Sequence, residues 1–86
     1  MAAYEVFFRE SVRKDIAAIP ATDLRRIMAR IGELATNPRP PDCRKLTGQE
    51  KYRIRQGNYR IIYSIQDEQL TVWVVKVGHR GSVYKH

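Results

Sequence analysis

From residue 51 to about residue 77 apolar residues recur at every second position, after a front half whose apolar residues recur at helical spacing. This switch of period restricts the fold more than any other feature. It requires antiparallel strands in the second half of the chain, with one face available to helices from the first. The alternation predicts strands over 51–56, 59–66 and 69–77. Gly57-Asn58 is a two-residue turn of the kind that closes hairpins. Asp67-Glu68, extended or not by Gln69, makes the second connection. Ahead of them, AYEVFF at 3–8 reads as a short strand rich in aromatic and β-branched residues.

Between these parts lie two helical segments. Val12, Ile16 and Ile19 are helically spaced, and Pro20 stops them. Thr22 is a suitable N-cap for a second helix, with Asp23 in its first turn. Leu24, Ile27, Met28, Ile31 and Leu34 then form one apolar stripe, suited to core packing, before Asn37 and Pro38 end the helix. The proline-rich stretch NPRPPDCRK reads as a loop. A short strand at 82–85 is a further expectation. The fold class is α+β. It is a two-layer sandwich with an N-terminal strand, an αα-hairpin and an antiparallel meander of three to four strands, in a single domain over 1–86. A chain of 86 residues has room for one modest core, and 43% hydrophobic with 29% charged residues is a globular rather than a disordered composition.

The hairpin register follows from its turn. Gln56 opposes Tyr59, Arg55 opposes Arg60, Ile54 opposes Ile61 and Arg53 opposes Ile62. One face then carries Tyr52, Ile54, Tyr59, Ile61, Tyr63 and Ile65, and belongs under the helices. The other carries Lys51, Arg53, Arg55, Arg60, Ile62 and Ser64. A slip of one residue would bury the arginines. The Arg55–Arg60 pair sets like charges directly opposite, which costs roughly 0.2–1 kcal/mol. A site for anions on the open face explains an arrangement that stability disfavours. With a two-residue second turn, Trp73, Val75 and Val77 would share the basic face, while Leu70, Val72 and Val74 would enter the core. The resulting apolar strip calls either for a protein cover or for a longer turn.

The net charge of +7 favours acidic partners such as nucleic acid, anionic lipid or an acidic protein. Cys43 is the one cysteine, so no internal disulfide forms, and a lone thiol suits a reducing cytoplasmic setting. His79 and His86 have no partners at metal-ligand spacing, and neither metal nor cofactor is expected. MAAYEVFF is too short for the apolar region of an export signal, and no stretch approaches the ~18 apolar residues of a membrane span.

Taken together, KLTG, YRIRQGNYRIIY and the closing VWVVKVGHRGSVY resemble the RelE/ParE superfamily of toxins from prokaryotic toxin–antitoxin systems, in its RelE-type branch. The resemblance spans nearly the whole chain. It implies a sheet topped by two helices, with an RNA-cleaving face opposite. It implies a ribosome-dependent, metal-independent endoribonuclease that cuts mRNA in the A site, the ribose 2′-hydroxyl attacking the adjacent phosphate. By the same resemblance Arg53, Arg55, Arg60 and Arg80 are catalytic cations and Tyr84 orients or stacks on the substrate base. Lys45, Lys51 and His79 are auxiliary RNA contacts.

A familiar RelE-type toxin carries lysines where this chain has Arg53 and Arg55. Arginine stays protonated, so these residues are expected to act electrostatically. The proton acceptor is open between Tyr84, His79, Glu50 and ribosomal RNA. The resemblance also implies ribosome and mRNA as targets, and a cognate antitoxin from an adjacent gene, wrapping the toxin with an acidic segment. The competing readings are a ParE-like inhibitor of DNA gyrase and a nucleic-acid-binding module without catalysis.

Overall fold

The computed structural model describes residues 3–79. Its elements are β1 (Glu5–Phe8), α1 (Val12–Ala17), α2 (Ala21–Glu33), β2 (Arg44–Lys45), β3 (Tyr52–Gln56), β4 (Tyr59–Gln66) and β5 (Thr71–His79). Extended backbone at Pro20 (φ −56°, ψ 146°) launches α2 at Ala21. Thr22 therefore lies inside the first turn rather than at the N-cap, because the proline already sets the entry angle. The apolar stripe of α2 is narrower than expected. Ile27, Ile31 and Leu34 are buried, while Met28 remains 40% exposed.

The strands form one five-stranded sheet in the order β1-β5-β4-β3-β2. β1 runs parallel to β5, and the other neighbours are antiparallel. The sheet is thus mixed, and β2, absent from the sequence-based expectation, pairs Arg44 with Arg53 and Lys45 with Tyr52. The β3–β4 hairpin has the expected register throughout, from Tyr52 opposite Tyr63 to Gln56 opposite Tyr59. Gly57 takes φ +60° at the first central position of the turn and Asn58 does not, the sign pattern of a type II′ turn. Helices cover the face bearing Ile54, Ile61 and Tyr63. Those residues form the core with Val12, Ile27, Ile31, Leu34, Val72, Val74 and Val77.

The second connection differs from the expected two-residue turn. A single 3-10 turn over Asp67–Gln69 is followed by Leu70 in the left-handed region (φ 49°), and Gln66 then opposes Thr71. Leu70 is 40% exposed instead of core-bound. Farther along, Ile62 opposes Lys76 while Tyr63 opposes Val74, so Val75 is an extra residue in a β-bulge. The bulge reverses the alternation on β5. Val72 and Val74 before it and Val77 after it all reach the core. Val77 therefore does not join the basic face. Trp73 does, opposite Ser64, and there Phe7 stacks on it at 5.1 Å while the Arg9 guanidinium lies 5.2 Å from its ring. The apolar strip thus acquires much of its cover from β1 and Arg9.

Two polar ties hold the long α2–β2 loop. The Tyr63 hydroxyl, buried in the core, donates to the Pro38 carbonyl at 2.6 Å. Arg39 forks onto both Asp67 oxygens at 3.0 and 2.9 Å, and the Tyr4 hydroxyl donates to the same carboxylate at 2.7 Å. The strand expected at 82–85 lies outside the described residues.

Candidate functional site

Successive strand residues point to opposite faces, so the pairing decides which side chains share the sheet surface away from the helices. Arg55 opposes Arg60 directly, and Arg53, two residues before Arg55, lies on the same side opposite Ile62. Ile62 is 7% exposed although it faces away from the helices. Long cationic side chains lay their hydrocarbon stems over such a residue while their heads reach outward. Arg53 and Arg60 are half-buried, with their Nε atoms shielded, and Arg55 is exposed. Partial burial of two guanidiniums restricts their orientation, which suits a preorganised electrostatic site better than a set of freely waving cations.

One further cation belongs to this surface. Arg44 opposes Arg53 from β2, so the basic face spans β2, β3 and β4. Sequence reasoning missed it because β2 is two residues long and shows no period. Beside it lies a cleft of about 350 Å³ lined by Pro41, Asp42, Cys43, Arg44, Arg53 and Arg55. Asp42 is an acidic group at this cleft. Its carboxyl is held below the usual range first by a hydrogen bond from Arg30, with Arg53 a smaller contributor. Its charge is thus already engaged from the helix side.

The auxiliary residues fall elsewhere. Lys45 opposes Tyr52, on the helix-side parity, and its ammonium is 3.1 Å from Glu50. Lys51 is exposed just ahead of β3. His79 opposes Tyr59 and meets its ring edge-on at 5.4 Å. That pair is on the helix-side face, where the Tyr59 hydroxyl lies 3.4 Å from Asp23, so His79 is not brought to the arginines. Arg80 and Tyr84 lie outside the described residues. Among the described residues, no group of three or more His, Cys, Asp or Glu side chains could hold a metal ion.

A surface of clustered guanidiniums on a rigid sheet has a limited chemical repertoire. The planar forks match phosphate oxygens in pairs, and they stabilise negative charge without accepting protons. The arrangement can therefore hold a phosphodiester and neutralise charge that grows on it.

Comparison with known proteins agrees with this architecture. Residues 6–84 match the family model described as ParE toxin of type II toxin–antitoxin system, parDE. The chain is 33% identical over 86 residues to toxin RelG of Mycobacterium tuberculosis, covering 95% of this chain and 97% of that toxin. It is 30% identical to the mRNA interferase toxin RelE of Escherichia coli K12, covering 91% of this chain and 84% of that toxin. The fold superposes on the archaeal RelE of the RelE–RelB complex from Pyrococcus horikoshii with a TM-score of 0.82, at 30% identity, covering 93% of this chain and 98% of that one. The chain belongs to the RelE/ParE toxin superfamily of type II toxin–antitoxin systems.

Proposed function

We propose that this protein is the toxin of a type II toxin–antitoxin pair and an endoribonuclease that cuts mRNA in the ribosomal A site, in the cytoplasm where translation runs. The observation that carries the proposal is the direct opposition of Arg55 and Arg60, joined by Arg53, on the sheet face that the helices leave open. A similar toxin in Escherichia coli is named an mRNA interferase, which supports the same chemistry here.

The ribose 2′-oxygen attacks the adjacent phosphorus, and the bond from phosphorus to the 5′-oxygen breaks. A 2′,3′-cyclic phosphate and a 5′-hydroxyl result. One proton leaves the 2′-hydroxyl and one reaches the departing 5′-oxygen. Negative charge builds on the non-bridging oxygens, and Arg53, Arg55, Arg60 and Arg80 stabilise it there. One preorganised donor of this kind is worth roughly 3–4 kcal/mol. Tyr84 orients the base. His79 is disfavoured as the proton acceptor by its position against Tyr59. Because phosphate contacts carry no sequence information, codon preference arises from the bases and the ribosome.

The partner is an antitoxin whose acidic segment wraps the helix pair and part of the basic face. The similar archaeal toxin was solved in complex with RelB. Such an association should weaken as salt rises.

Toeprinting on programmed ribosomes tests the activity. Cleavage within the A-site codon, lost in folded Arg60→Ala, supports it. DNA breaks alongside intact message would support the second reading, a ParE-like inhibitor of DNA gyrase, for which the ParE description of the matching family model speaks.

A further inference from the structure

Extending the proposed reading of the same face, we infer that Arg44, placed opposite Arg53, supplies a second phosphate subsite, which holds the RNA phosphate next to the one that is cut. The hairpin alone supplies one opposed arginine pair, Arg55 with Arg60. β2 supplies another, Arg44 with Arg53. Two like-charged pairs placed directly opposite within three adjacent strands work against stability twice over. One such pair is an isolated cost. Two on one face form a track.

The spacing suits a polynucleotide. The two pairs are offset by two residues along β3 and by one strand across the sheet. Their centres are therefore about 8 Å apart, from the rise per residue and the strand spacing. Arginine side chains spanning that offset reach neighbouring phosphates of an extended single strand. The cleft of about 350 Å³ lies beside the second pair and is lined by Arg44, Arg53 and Arg55 together with Pro41, Asp42 and Cys43. Asp42 would repel a phosphate, but Arg30 bonds it from α2, with a second bond from Arg30 to Glu33 at 3.2 Å. The one carboxylate that lines the cleft is thus already engaged by Arg30. The ligand class is a phosphodiester of single-stranded RNA, recognised by charge and fork geometry and not by base identity.

Binding of a short single-stranded RNA, read by fluorescence anisotropy across a salt series, tests the subsite without requiring cleavage. The probe carries a 2′-deoxy sugar at the scissile position. A second probe also replaces one neighbouring phosphate with a neutral methylphosphonate, placed in turn on either side. Arg44→Ala should weaken binding roughly tenfold and reduce the salt slope by about 0.7, the value for one phosphate contact on a single strand. Arg44→Lys should recover part of the affinity. On one of the two methylphosphonate probes, wild type should lose about as much as Arg44→Ala loses, and Arg44→Ala should lose nothing further. Its melting temperature should equal or exceed that of wild type, because a repulsive pair has been relieved. A fall in melting temperature would instead mark Arg44 as structural.

An unchanged slope, penalties that multiply on both probes, or no RNA binding by wild type overturns the subsite. Arg44-dependent binding in a protein that cuts no message would leave the subsite standing and remove the nuclease reading. Message cleavage that ignores Arg44 would do the reverse.

Discussion

Arg55 and Arg60 are Cα partners across β3 and β4, so two residues of like charge stand directly opposite each other on one face of the sheet. Removing either should separate activity from stability. Arg60→Ala should lower the rate of RNA cleavage by roughly 10²–10³-fold, as loss of one preorganised donor does. It should leave unfolding free energy within about 1 kcal/mol of wild type, relief of the like-charge pair offsetting the lost packing of the stem over Ile62. Paired urea melts and single-turnover cleavage check this. An inactive variant that is also strongly destabilised would mean that Arg60 serves the fold.

The bulge at Val75 makes a sharper claim about the fold. Deleting Val75 would remove the extra residue and keep Val74 opposite Tyr63, Lys76 opposite Ile62 and Val77 opposite Ile61, with Val77 still in the core, where it is now 1% exposed. An alanine inserted after Lys76 would instead turn Val77 to the other face, and burial of such a side chain is worth roughly 1.5–3 kcal/mol. The deletion should keep cooperative unfolding, whereas the insertion should cost at least that amount. Thermal melts by circular dichroism distinguish the two. A deletion variant that no longer unfolds cooperatively, or an insertion as stable as wild type, would contradict the register.

Tyr63 anchors the proline-rich loop through its hydroxyl, which donates to the Pro38 carbonyl, and burial pushes the phenol well above its usual range. Tyr63→Phe leaves that carbonyl without its partner. The expected loss is about 1–2 kcal/mol in urea denaturation, with RNA cleavage retained, since the hydroxyl is on the helix side of the sheet. Loss of activity at full stability would give Tyr63 a role that the fold does not assign to it.

Acid sensitivity should trace partly to Asp67. Its carboxyl is lowered from 3.8 to about 2, first by the hydrogen bond from Arg39 and then by that from Tyr4. A depressed carboxylate contributes stability that is fully present above its unfolded value and fades as pH falls through the folded one. The contribution should therefore disappear between about pH 4 and pH 2. Asp67→Asn should flatten the stability profile across that window and leave its shape near neutral pH unchanged. The site is exposed, so added salt should shrink the difference. Identical acid limbs for the two proteins would remove Asp67 from the account.

Much of this surface was legible before any coordinates, and the reason is local. A Gly-Asn turn sets the register pair by pair, and alternating cations then have only one face to occupy. The failures occurred where no pattern existed. Arg44 and Lys45 form a strand too short to show a period. In VWVVKV both faces of β5 read as apolar, so a bulge that exchanges them leaves no trace in the sequence. Leu70 adopts a left-handed conformation that leucine seldom takes, so nothing in its identity announces the longer connection. At the start of α2, Thr22 carried a capping signal that Pro20 pre-empted.

The central claim is tested most directly by mapping RNA ends on a translated reporter message after inducing this protein, beside a copy with its start codon disabled and beside Arg60→Ala. New ends inside codons of the translated message should appear, bearing 2′,3′-cyclic phosphate. They should be absent from the untranslated copy and from the variant. Growth arrest with intact messages, or equal cutting by Arg60→Ala, would contradict it.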